Sequence, residues 1–217
     1  MQVEVGGRRV EVEDRPGTAV GAPPLVLLHE GLGCVALWRD LPERLAGATG
    51  SRVVTWSRYG HGGSEVLEGH REPGYMHDEA LLALPELRDT LGVGRPVLVG
   101  HSDGTSIALI HAGARRWPVA GVVLLAPHVF VEEACLAGIA GARRSYRDTD
   151  LRQRLARYHR DPDATFYGWA DVWLSEAFTA WNVEDSLAGV DCPVLVVQGT
   201  EDPYGTLAQV DAVEAGV

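Results

Sequence analysis

Residues 96–110 read Pro-Val-Leu-Val-Gly-His-Ser-Asp-Gly-Thr-Ser-Ile-Ala-Leu-Ile: a short apolar run, a Gly-x-Ser-x-Gly turn, then a helix-like segment. A serine on so sharp a strand-to-helix turn sits in strained backbone, and small neighbours at Gly100 and Gly104 let the chain pass. The turn aims the Ser102 hydroxyl into a cleft, which makes Ser102 the candidate nucleophile. It also leaves the Asp103 N–H at a helix N-terminus, where it can face a developing oxyanion.

Working outward, four further apolar runs flank this one: Leu25 to Leu28, Val53 to Trp56, Gly121 to Leu125 and Val194 to Val197. Short runs that are apolar on both faces suit parallel strands buried under helices. Helical patterns over 37–48, 76–91, 104–115 and 206–214 separate or follow them. Residues 2–5 and 8–13 alternate around Gly6-Gly7 and predict an antiparallel hairpin at a sheet edge. The expected fold is an α/β domain spanning 1–217, with a mostly parallel central sheet and helices on both faces. The stretch 128–190, rich in aromatics that include Trp169, Trp173 and Trp181, is expected to be a helical cap inserted over the carboxyl edge of the sheet.

Composition narrows the function. A 217-residue chain that is 46% hydrophobic and 23% charged can bury one sizeable core. A formal net charge of −11 argues against nucleic acid and anionic membrane surfaces as partners. Cys34, Cys135 and Cys192 are far apart, and no His or Cys grouping has metal-ligand spacing, so neither a disulfide framework nor a metal is expected. No basic segment followed by an apolar one opens the chain, and no apolar run is long enough to span a bilayer, which predicts a soluble, cytoplasmic protein. No cofactor is expected: there is no phosphate-binding Gly-rich loop with Lys, and the Gly31, Gly33 pattern of a dinucleotide site fails at Ala36.

In an open α/β sheet, ligands bind beyond the carboxyl ends of the strands. His29-Glu30-Gly31-Leu32-Gly33 follows the first buried run, and its Gly31 N–H is the second candidate oxyanion donor. Ser57-Arg58-Tyr59-Gly60-His61-Gly62-Gly63-Ser64 is a glycine-bearing loop that Arg58 could tie to neighbouring carbonyls. Ala126-Pro127-His128 follows the fourth run, and Gln198-Gly199-Thr200-Glu201-Asp202 the fifth. Asp202 is placed to orient a histidine.

With the turns at 29–33, 57–64, 100–104 and 199–202 in this order, the chain resembles the α/β-hydrolase superfamily, in the capped branch that includes esterases, lactonases and carbon–carbon bond hydrolases. The resemblance covers nearly the whole chain. It implies nucleophile Ser102, acid Asp202, oxyanion amides from Gly31 and Asp103, and acyl transfer from a small, largely apolar ester or lactone. Glu30, His128, Trp173 and Trp181 are the expected pocket residues. Two departures stand out: Glu30 replaces the usual glycine after His29, and Ser57 replaces the usual Asp of its loop.

Members of this superfamily carry the catalytic histidine in a Gly-His turn after one more strand. No histidine lies between Asp202 and Val217. The resemblance therefore implies a chain cut short before its last strand, helix and base, or a base moved to His128. The alternatives are a non-catalytic ligand-binding homologue, or non-hydrolytic chemistry on the same scaffold. A serine without its base retains only about 10³- to 10⁴-fold catalysis over water. His101 is expected to point into the packing around the turn, His29 to brace the oxyanion turn, and His61, His70, His77, His111 and His159 to have no role. The strand at Val194 to Val197 is expected to present an open edge prone to self-association.

Overall fold

A computed structural model describes all residues, Met1–Val217. Its sheet has seven strands in chain order: β1 (Gln2–Val5), β2 (Arg8–Arg15), β3 (Leu25–Leu28), β4 (Val53–Ser57), β5 (Val97–His101), β6 (Gly121–Leu125) and β7 (Val194–Val197). They lie side by side as β1-β2-β4-β3-β5-β6-β7. β1 and β2 form the antiparallel hairpin, with Gly6 and Gly7 at φ 59° and 69° in its turn, and the remaining neighbours from β4 to β7 pair in parallel.

The parallel register aligns the carboxyl ends. Leu28 lies opposite Gly100, His101 opposite Leu125, and Leu125 opposite Val197. The residues that follow these strands therefore emerge on one edge of the sheet, where a site can be assembled from loops distant in sequence.

Strand alternation divides the core in two. Leu25, Leu27, Val53 and Val99 face α1 (Leu41–Thr49), whereas Val26, Leu28 and Leu98 belong to a larger cluster on the other face. That cluster contains α2 (Asp103–Gly113), a helix buried on every side because the sheet lies below it and helical chain above. Gly104 allows this approach: a Cβ there would overlap the Leu28 carbonyl.

Two expected helices are interrupted, each at a proline. The 37–48 pattern resolves into a 3₁₀ turn at Val35–Trp38 and α1, which starts beside Pro42, where the missing N–H costs nothing. The 76–91 pattern contains a π-helical turn over Glu79–Ala83 just before Pro85, which cannot donate to a carbonyl one turn back; the wider turn takes up the mismatch.

Between β6 and β7 run three helices, α3 (Glu133–Asp148), α4 (Leu151–Leu155) and α5 (Pro162–Trp173), then two 3₁₀ turns. Asp161 caps α5 by accepting from the Asp163 and Ala164 N–H groups. Phe166, Trp173 and Phe178 of this segment join the same core as the sheet. The chain ends in α6 (Ala208–Gly216). No helix is long and apolar enough to cross a membrane.

Candidate active site

The strand ends converge on a cavity of about 260 Å³ whose walls include Glu30, Gly31, His101, Ser102, Asp103, His128 and Asp202. Ser102 has φ 50° and ψ −118°, a conformation a non-glycine residue adopts only where its surroundings enforce it. Enforcement comes from both sides of the turn: the Ser102 N–H donates to the Leu125 carbonyl at 2.9 Å, and the Ser102 carbonyl accepts from the Thr105 N–H and hydroxyl at 2.7 and 2.6 Å.

Asp103 opens α2, so its N–H has no carbonyl a turn earlier to bond, and the Gly31 N–H likewise donates to no group of the protein. Both belong to residues that line the cavity holding Ser102. Two free amides beside a strained serine are the elements of an oxyanion hole.

The turn bearing Gly31 is fixed from behind by three buried imidazoles, one on each of three consecutive carbonyls. His29 Nδ1 lies 2.7 Å from the Glu30 carbonyl, His61 Nε2 3.1 Å from that of Gly31, and His159 Nε2 3.1 Å from that of Leu32. The opposite ring nitrogens set the tautomers of His29 and His159. His29 Nε2 accepts the Arg58 N–H at 3.0 Å, His159 Nδ1 accepts the Gly62 N–H at 2.9 Å, and His61 Nδ1 lies 3.2 Å from both Arg71 and the Tyr59 carbonyl. Burial, reinforced by Arg58 at His29 and Arg71 at His61, holds these two far below the usual histidine range; burial also lowers His159. All three are thus neutral, and His29 and His159 each use one donor and one acceptor. The brace expected of His29 alone is shared with His61 and His159, which the sequence had left without partners.

Arg58, fully buried, donates to the carbonyls of His29 and Glu30 at 3.3 and 3.0 Å and forms an ion pair with Asp103 at 3.5 Å. Ser57, standing where the superfamily has Asp, accepts the Val35 N–H at 2.9 Å and donates to Glu11 at 2.7 Å; the Gly63 N–H also donates to Glu11. Glu11 of β2 thus supplies the carboxylate that the loop lacks.

His101 does not point into packing. Gly100 occupies the crowded face of the turn, where a Cβ would meet the Gly104 backbone, and strand alternation turns His101 the other way, into the cavity wall. Its Nδ1 is 3.4 Å from Glu30 Oε2. The hydrogen bond with Glu30 and that carboxylate's charge raise the His101 pKa above its ordinary value. Burial pushes the Glu30 carboxyl up, but the hydrogen bond and charge of His101 outweigh it and leave Glu30 below the usual carboxylate range.

Asp202 lines the cavity as well, yet its Oδ1 accepts the Tyr204 N–H at 2.8 Å and no histidine lies within ion-pairing distance. His128 also reaches the cavity, held by its own N–H to the Thr105 hydroxyl and its carbonyl to Ser106. Burial lowers its pKa, its Nδ1 has no partner, and no carboxylate pairs with it. Trp173 lines the cavity. Trp181 does not: it stacks on Phe178 at 5.2 Å and packs behind Trp173 at 5.7 Å, because Trp173 occupies the cavity side. Leu32, Ala126, Cys135, Ile139, Trp169 and Tyr204 complete the apolar lining. No group of three or more His, Cys, Asp or Glu side chains is arranged to hold a metal ion.

The family model described as the alpha/beta hydrolase family matches residues 25–216. The chain belongs to that family. Over 95 residues it is 30% identical to a proline iminopeptidase of Lactobacillus delbrueckii subsp. lactis, covering 44% of this chain but 32% of that protein, so the match spans about a third of the relative's length. Among solved structures, the enol-lactonase from Burkholderia xenovorans LB400 superposes with a TM-score of 0.71 at 22% identity, covering 100% of this chain and 87% of that one. A thermophilic esterase from Thermogutta terrifontis gives 0.74 at 22% identity, covering 100% and 86%. At that identity the structural likeness speaks for the fold.

Proposed function

We propose that the chain is a serine hydrolase acting on a small, largely apolar ester, lactone or related acyl compound through an acyl-enzyme at Ser102. The observation that carries the reading is the strained Ser102 sharing one cavity with the unpaired N–H groups of Gly31 and Asp103. Size and lining support the substrate class: about 260 Å³ walled by Leu32, Ile139, Trp169 and Trp173 suits a short acyl chain.

In the first step Ser102 Oγ bonds to the acyl carbon, the carbonyl oxygen gathers charge against the two amides, and the carbon–oxygen bond to the leaving alcohol breaks. The serine proton passes to an imidazole and on to the alcohol. Water then attacks the acyl-enzyme, releasing the acid and restoring the hydroxyl. Neither imidazole on the cavity hydrogen-bonds Ser102; His101 has a carboxylate on its Nδ1 and His128 has none, so His101 is the base we assign.

The test is hydrolysis of p-nitrophenyl acetate and butyrate by this chain, by a version extended through the downstream reading frame, and by Ser102→Ala and His101→Gln variants. Ser102-dependent turnover that His101→Gln abolishes supports both assignments. Turnover confined to the extended chain keeps Ser102 but moves the base outside these residues. Turnover that survives Ser102→Ala overturns the serine mechanism.

A further inference from the structure

The Asp103 N–H shares a peptide plane with the Ser102 carbonyl, which Thr105 holds from one side with its N–H and hydroxyl. The Asp103 side chain is buried and carries a different set of contacts. Tyr75 donates its phenolic O–H to Asp103 Oδ2 at 2.6 Å, and Trp173 of α5 donates its indole N–H to the Tyr75 oxygen at 3.0 Å. Arg58 pairs with the same Oδ2 and also donates to the Glu30 carbonyl, just before Gly31. The hydrogen bonds run in one direction, from the helical segment, through Tyr75, to the first residue of α2.

Both ends of this chain meet the cavity, because the Trp173 ring forms part of its wall and the Asp103 N–H belongs to the residue after the nucleophile. Tyr75 itself is not a wall residue and is 5% exposed. A phenylalanine would fill its place against Phe178 equally well, so the hydroxyl serves these two partners and nothing else. Burial and the Asp103 carboxylate hold its pKa well above the ordinary tyrosine value, which keeps it a donor.

We propose that Tyr75 is a positioning residue that fixes the Asp103 amide toward the oxyanion and ties that position to Trp173, so that a substrate resting on Trp173 acts on the same chain of bonds that sets the oxyanion hole. The proposal rests on Ser102 being the nucleophile. Tyr75→Phe removes only the hydroxyl: it frees the indole N–H and leaves Asp103 Oδ2 with Arg58 alone.

The test is saturation kinetics of fluorophosphonate labelling of Ser102, together with ¹⁵N backbone amide spectra, for the unmodified chain, Tyr75→Phe, Trp173→Phe and the double variant. Tyr75→Phe should lower the maximal labelling rate about tenfold, a fraction of the ~10²-fold or more lost when an oxyanion donor is removed outright. The concentration for half-maximal labelling should stay within about twofold, since the cavity wall is untouched. The double variant should label at the same maximal rate as Tyr75→Phe, because both changes break one chain. The Asp103 and Gly104 amide resonances should move while those of α1 stay.

An unchanged maximal rate with an unmoved Asp103 amide would overturn the proposal, as would a lower melting temperature with no change in labelling. If the unmodified chain does not label at all, Ser102 is not an activated nucleophile in this chain. The amide spectra then still decide whether Tyr75 holds Asp103.

Discussion

At Ser102 the backbone is strained and at Gly104 it is crowded, and the two conditions depend on each other. Gly104 lets α2 start against β3, and the start of α2 places Asp103 one residue after the serine. Gly104→Ala would drive a Cβ into the Leu28 carbonyl, which cannot swing aside as a side chain can. The expected cost is about 3 kcal/mol, the upper end for overpacking, read by chemical denaturation; a loss under about 1 kcal/mol would show that the helix start can shift. The elbow was legible in sequence because its glycine spacing is local. His101 was misread, since which face of β5 is crowded depends on how closely α2 approaches Gly100. The His159 contact to Leu32 spans 127 positions, and no local pattern announces it. Tyr75 was missed for the same reason.

Among the elements, β7 stands apart. Leu195 and Val197 are 56% and 51% exposed, in register with Val123 and Leu125 of β6 but on the face that α1 leaves uncovered toward this end of the sheet. β7 also has only β6 as a neighbour, so its outer backbone groups are unpaired. The chain as it stands should self-associate through this edge, with an apparent mass that rises with concentration in sedimentation experiments. Leu195→Lys with Val197→Lys should suppress that rise; a monodisperse monomer before the substitutions would contradict it. Strand positions were readable because buried parallel strands are short apolar runs. The helix interruptions were not, since Pro42 and Pro85 sit in patterns whose apolar spacing alone reads as continuous helix.

For the whole molecule, burial of neutral histidines sets the response to acid. Burial lowers the pKa values of His29, His61, His111, His128 and His159, that of His111 from 6.5 to about 4. A depressed folded pKa means that the unfolded chain takes up protons first as pH falls below about 6.5, so stability is full above that value and drains away below it. His111 alone withdraws on the order of 3 kcal/mol by pH 4. The melting temperature should therefore fall steeply between pH 7 and pH 5, and His111→Gln should flatten that fall; a melting temperature independent of pH over this range would contradict the neutral assignments. Three of these rings hold the carbonyls around Gly31 and stay neutral in the folded chain, so Ser102 labelling should be lost only where the chain unfolds, not ahead of it.

The central claim is that Ser102 is a nucleophile facing a formed oxyanion hole. Its most direct test is the intact mass of the chain after incubation with a fluorophosphonate at neutral pH, followed by peptide mapping. One adduct per chain, located on Ser102 and absent from Ser102→Ala, is the expected result. An unmodified chain, or an adduct that persists in Ser102→Ala, would contradict it.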